Sequence, residues 1–141
     1  MQVEINYRGN KKFEANARGH VVIADQPFDE EGRDSGMTPP ELFLAAIGSC
    51  AAHYAAEYLN FRGLDTSDLR IRISGVKSLH PARLSEITIE VITDNLNLRH
   101  KEGLVRAVQH CVLENTLVYP PSVNVEIVGA AEAAELVPMP V

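Results

Sequence analysis

The sequence predicts an α+β fold, with antiparallel sheets around two helices in the order βββ-α-ββ-α-β. Three observations lead there. The stretches LRIRISGV (69–76) and EITIEVIT (86–93) alternate apolar and polar residues with period two. Two longer stretches, beginning near residues 39 and 98, read as helices. Strands come in runs instead of alternating singly with helices, which argues against a doubly wound parallel sheet.

VEINY (3–7) and KFEANA (12–17) read as short strands around the turn Arg8-Gly9-Asn10, a hairpin. HVVIADQ (20–26) is a third strand, entered through Arg18-Gly19. Residues 27–38 are polar and glycine-bearing, and read as a loop. Thr38-Pro39-Pro40-Glu41 fits a capping box, with threonine as N-cap, proline in the first turn and glutamate at the third position. The helix it opens covers 39–62 and stops at Arg62-Gly63.

In the two alternating strands Ile71 and Ile73 share a face, as do Ile87, Ile89 and Val91. Arg70, Arg72, Thr88 and Glu90 point the other way, the pattern of strands wet on one side. The second helix runs from Leu98 to Cys111 with an extension through Leu117, until Pro120-Pro121 stops it. VNVEIV (123–128) reads as a closing strand, and 130–141 as a tail.

At 141 residues the chain suits one domain, 1–141, with 45% hydrophobic and 23% charged residues, the composition of a folded protein. A net charge of −6 makes nucleic acid and anionic membrane poor partners. The N-terminus has no apolar core of a signal peptide, and the run 42–56 is too short and mixed to span a bilayer. The expected location is cytoplasmic, where two cysteines are inert core residues, metal ligands or a redox pair.

LFLAAIGSCAAHYAAEYL (42–59) holds Cys50 near its centre and His53 a turn later. On a wheel of 100° per residue, Phe43, Ala46, Ile47, Tyr54 and Phe61 fall within about 60° of Cys50. Ala45, Gly48, Ala52, Ala55 and Leu59 cover the opposite side, small enough in part for another element to approach closely. So apolar a helix belongs in the middle of the molecule or in an oligomer interface. Its one polar stripe, Ser49, His53, Glu57 and Asn60, needs partners, water or a cleft. Cys111 shares a face with Leu104, Ala107 and Val108 and points toward the core.

Buried cysteines are usually inert packing residues. A metal site from Cys50, His53, His110 and Cys111 is disfavoured, because adjacent helical residues project about 100° apart and can hardly share one tetrahedral ion. Thiol chemistry needs ionised sulfur, hence a neighbouring cation or base. His53 is one candidate, and Arg8, Arg18 and Arg33 are others. A second cysteine would resolve a sulfenic acid formed on the first. A Cys50–His53 hydrolase or acyl transferase, with Glu57 orienting the base, is a further possibility.

GMTPPELFLAAIGSCAA (36–52) resembles the first-cysteine helix of the OsmC/Ohr family, the osmotically inducible and organic hydroperoxide resistance proteins. HCVLENTL (110–117), with PPSVNVEI (120–127) after it, is similar to that family's second-cysteine segment and closing strand. The 61-residue separation of the cysteines and the order of elements fit as well. The resemblance implies an OsmC/Ohr-like fold, an intertwined homodimer with long central helices, outer sheets and sites at the dimer interface. It implies a peroxidase acting on organic hydroperoxides, with Cys50 peroxidatic and Cys111 resolving. Reduction would come from an external dithiol of the lipoyl type, with no bound cofactor and no metal.

The chain departs from that pattern in two places. The peroxidase members carry a catalytic glutamate ten residues before the first cysteine, where this chain has Pro40; Glu41 stands nine before and points away from Cys50 on an ideal helix. The thiolate-stabilising arginine has no unambiguous counterpart: Arg18 and Arg8 are the heirs, then Arg33. The chain thus resembles the OsmC-like branch more than the two peroxidase branches. The leading expectation is a two-cysteine peroxidase with Arg18 at the thiolate and His53, Glu41 or Arg8 in support. The alternative is a non-catalytic dimer that binds a hydrophobic small molecule between its helices.

Overall fold

The computed structural model describes residues 1–94, 96–130 and 133. Three strands open the chain: β1 (Glu4–Tyr7), β2 (Phe13–Ala17) and β3 (His20–Ala24), paired antiparallel in that order. Both connections are tight turns. Gly9 and Asn10 have φ of 90° and 54°, and the Arg8 amide donates to the Lys12 carbonyl at 2.9 Å. Between β2 and β3, Ala17 pairs with His20 across a two-residue turn, Arg18-Gly19, both with positive φ. Two left-handed residues in succession match the twist of a hairpin, and glycine at the second lowers the strain.

The loop to the first helix contains a single 3₁₀ turn, Phe28–Glu30, which the composition of 27–38 does not announce. α1 (Pro39–Phe61) begins as its sequence requires. Thr38 accepts from the Glu41 amide, and the Glu41 carboxylate takes the Thr38 N–H at 2.7 Å. The strands β4 (Arg70–Leu79) and β5 (Ala82–Ile92) form the second sheet, a hairpin that extends past the alternating stretches on either side of a turn at His80-Pro81. Ile71 lies opposite Val91, Ile73 opposite Ile89 and Gly75 opposite Ile87. These residues are half-buried, while Arg72 and Glu90, also paired across the hairpin, meet in an exposed ion pair at 3.2 Å.

α2 (Leu98–Gln109) and α3 (Val112–Val118) follow. The second helix is thus two helices, because the backbone at Cys111 turns extended, with φ −63° and ψ 138°. Asn97 caps α2 by accepting from the His100 amide. The stretch 123–128 forms no strand within the chain: Val123, Val125 and Ile127 are exposed, Ile127 fully so at 101%. Its period-two pattern finds no partner edge among the described residues. Of the tail 130–141, all but Ala130 and Ala133 lies outside the described residues.

The core is built where α1 crosses α2. Ala51, Ala55 and Leu59 pack on Leu104 and Val108, with Tyr58, Leu64, Leu69, Ile89 and Val91 around them. Gly48 lets α1 sit on β4: a methyl there would lie 3.2 Å from Ile73 Cγ2. Gly103 is tighter, since a methyl would come within 2.6 Å of Tyr58 Cζ, and the Tyr58 hydroxyl is held by His100 Nδ1 at 3.3 Å. The residues buried on α1 are Ile47, Gly48, Ala51, Ala55 and Leu59, so one side of the helix is covered by its own chain. The opposite side, with Phe43 and Phe61 (84% exposed), stays open.

Candidate functional site

Cys50 lies on α1 at the border of the covered side, half-buried. Cys111 lies at the α2–α3 break and is 1% exposed. The break matters: an extended residue between two helices lets the side chain leave the α2 face and reach α1. The two thiols are neighbours, and both are free. Burial pushes the Cys111 thiol above its ordinary pKa, and the Cys50 thiol beside it adds to the shift. The amides of Glu114 and Leu113 at the start of α3 pull the other way without closing a cap hydrogen bond. A buried sulfur kept protonated therefore faces a half-buried one with a route to solvent.

The polar stripe of α1 is a surface stripe. Ser49 Oγ donates to the Ala46 carbonyl at 2.9 Å. His53 and Glu57 are 68% and 65% exposed and stand 3.7 Å apart, with the His53 ring edge-on to Tyr54. No hydrogen bond joins His53 to Cys50 among the described residues. Phe43 and Phe61 share the side of Cys50, as the wheel predicts, but they are exposed and form no closed cleft in the chain alone.

Glu41 is committed to the helix cap. Its Oε2 accepts from the Thr38 amide at 2.7 Å and from Thr38 Oγ1 at 2.9 Å, and these bonds hold its carboxyl below the ordinary range. Glu41 stands nine positions before Cys50 on the helix. The arginines stand apart from the cysteines as well. Arg18 is in the exposed β2–β3 turn, beside Met1, Gln2 and Val3. Arg8 is forked onto Glu14, with Nη2 2.8 Å from Oε1. Arg33 lies on the loop before α1. Among the described residues none of the three donates to either cysteine, and none contributes to the Cys111 shift.

Asp25, 1% exposed at the end of β3, accepts from Ser35 Oγ at 2.7 Å and from the amides of Gln26, Arg33 and Ser35. The Ser35 hydroxyl foremost, with these amides, holds its carboxyl down to about 2. A polar loop of ordinary composition gives no sign that one carboxylate gathers it. Among the described residues no group of His, Cys, Asp and Glu converges as a metal site, and no helix is long and apolar enough to cross a membrane.

The fold recurs in solved structures. The OsmC-like protein of Mycoplasma pneumoniae superposes with a TM-score of 0.71 at 18% identity, covering 83% of this chain and 86% of that one. An organic hydroperoxide resistance protein, OsmC, from Legionella pneumophila gives 0.63 at 16% identity, with 83% and 89% covered. The organic hydroperoxide resistance protein OhrB of Bacillus subtilis gives 0.57 at 17% identity, with 82% and 90% covered. At these identities the likeness is one of fold. No curated protein sequence is similar enough to add to it. The family model described as OsmC-like protein matches residues 32–126, well over half of the chain and inclusive of both cysteines. On that match, with the fold in agreement, the chain belongs to the OsmC-like protein family.

Proposed function

We propose that this single-domain protein is a thiol-dependent peroxidase that reduces organic hydroperoxides through Cys50 and Cys111 in the cytoplasm. The observation that supports it best is the meeting of the two thiols, one half-buried and one buried, from residues 61 apart in sequence. The Cys50 thiolate attacks the terminal peroxide oxygen. An S–O bond forms, the O–O bond breaks, and the alkoxide leaves as the alcohol after taking a proton. Cys111 then attacks the sulfur of the Cys50 sulfenic acid, and the hydroxyl leaves as water with the Cys111 proton. An external dithiol, lipoyl-type, reduces the resulting disulfide by exchange and is itself oxidised.

The arginine for this chemistry, Arg18 with Arg8 as the other choice, has to come from a second copy. Several features favour a homodimer. Within the chain the β1–β3 sheet packs on none of the helices to any extent, although Val3, Ile5 and Tyr7 are apolar and exposed. The open side of α1 and the unpaired 123–128 segment also await cover. The names of the solved structures that share the fold, organic hydroperoxide resistance proteins, support the peroxidase reading.

The commitment of Glu41 to the helix cap favours one alternative, a non-catalytic dimer binding a hydrophobic small molecule between its helices. Intact mass and free-thiol count after one equivalent of an organic hydroperoxide, with hydrogen peroxide in parallel, decide between them. A peroxidase loses both thiols rapidly, faster with the organic peroxide, and Cys50→Ser abolishes the reaction. Unchanged thiols over the same time leave the binding protein.

A further inference from the structure

The loop that Asp25 gathers forms one wall of a cavity of about 330 Å³, and the β1–β2 turn forms the other. Its lining is Arg8, Gly9, Asn10, Lys12, Asp25, Arg33 and Ser35, three cations against one carboxylate. The one carboxylate is buried and fully engaged by Ser35 and three amides. Two further acids are engaged: Glu14 holds Arg8, and Glu31 pairs with Lys11 at 3.7 Å. Among the described residues Lys12 and Arg33 have no carboxylate within ion-pair distance. Three cations lining one cavity favour an anion there.

The two walls are tied together by hydrogen bonds. Asn10 Nδ2 donates to the Glu31 carbonyl at 2.8 Å and ties the turn to the loop. The amides of Gly32 and Asp34 close onto the carbonyls of Pro27 and Gln26, both at 3.0 Å. Gly32 is needed for this, since a methyl there would overlap the Gln26 carbonyl. A rigid concave site with few convergent polar groups loses little entropy on binding.

We propose that this cavity binds a small oxyanion, the carboxylate or phosphate group of a metabolite, between Lys12 and Arg33. Arg33 presents the planar fork suited to two oxygens, and Lys12 acts as a point charge. Arg8, held by Glu14, forms a fixed cationic wall, and the Ser35 hydroxyl stays with Asp25. The site involves neither cysteine, and it rests on Arg18, not Arg8, being the arginine of the peroxidase reading.

The test is a titration of the full-length ¹⁵N-labelled protein with inorganic phosphate and, separately, malonate, each against chloride at matched ionic strength. Saturable amide shifts confined to residues 8–12 and 25–35 are expected. Arg33→Gln and Lys12→Gln should each weaken binding about tenfold or more, as loss of a charge-assisted contact does, while Lys77→Gln leaves it unchanged. Saturation by only one titrant identifies the group as phosphate or carboxylate. The proposal fails if neither anion gives saturable shifts beyond those of chloride by about 10 mM. It also fails if both site variants, folded by their spectra, bind as well as the parent.

Discussion

At the scale of single residues, the two cysteines have different parts because their surroundings differ. Cys50 has the access that an attacking thiol needs, and Cys111 is kept neutral by burial and by Cys50 itself. In the peroxidase reading, Cys111→Ser should still consume one equivalent of hydroperoxide and become one oxygen atom heavier, with no disulfide; intact mass reads this directly. The titration of Cys111 follows its neighbours. Replacing Cys50 with alanine removes one cause of the upward shift, so the Cys111 midpoint in a pH series of thiol alkylation should fall yet stay above an ordinary thiol. A raised thiol pKa stabilises the fold below the unfolded thiol's pKa and is lost as pH rises through the folded one. The alkaline loss of stability of the reduced protein should therefore be smaller in Cys50→Ala than in the parent. Asp25 has the opposite sign. Its carboxyl is depressed to about 2 by Ser35, so its contribution is complete above the unfolded value near 3.8 and disappears as pH falls toward 2. Asp25→Asn should flatten the dependence of the denaturation midpoint on pH in that window.

At the scale of elements, the helices were the most readable part of the chain. Thr38, Pro39 and Glu41 announced where α1 starts, and the capping box formed as read. Thr38→Ala should cost about 1 kcal/mol in denaturant unfolding, and Glu41→Gln should leave any peroxide rate within about threefold if its work is the cap alone. The α2–α3 break was less readable, because the apolar spacing through Cys111 is compatible with an unbroken helix. The backbone at Cys111 is extended, and its buried thiol lies beside Cys50. Gly103 shows the same dependence on neighbours. Glycine in a helix interior is a weakness in isolation, and alanine there would gain about 1 kcal/mol of propensity. Tyr58 occupies the space that the methyl needs, and overpacking costs about 1–3 kcal/mol. Gly103→Ala should thus be destabilising in the same assay, with loss of the Tyr58–His100 contact.

At the scale of the whole molecule, the chain leaves too much apolar surface uncovered to be read alone. The open side of α1, the β1–β3 sheet and the 123–128 segment are separate in sequence and share one need, a covering surface. A homodimer is the expected outcome: light scattering should give about twice the 15.5 kDa chain mass. Ile5→Lys, on the exposed β1 strand, should shift that mass toward the single chain as the protein is diluted.

The sequence by itself determined the α+β class, the caps and turns, the two alternating strands and the presence of a two-cysteine signature. Each rests on neighbours a few residues apart, where spacing and residue type act directly on the backbone. Tertiary structure alone decided that the thiols meet, that the polar stripe of α1 lies on the surface, and that 123–128 has no strand partner among the described residues. It alone put Lys12 and Arg33 around one cavity with the buried Asp25 behind them. Those outcomes depend on which surfaces cover one another across tens of residues, and local periodicity is silent on that choice.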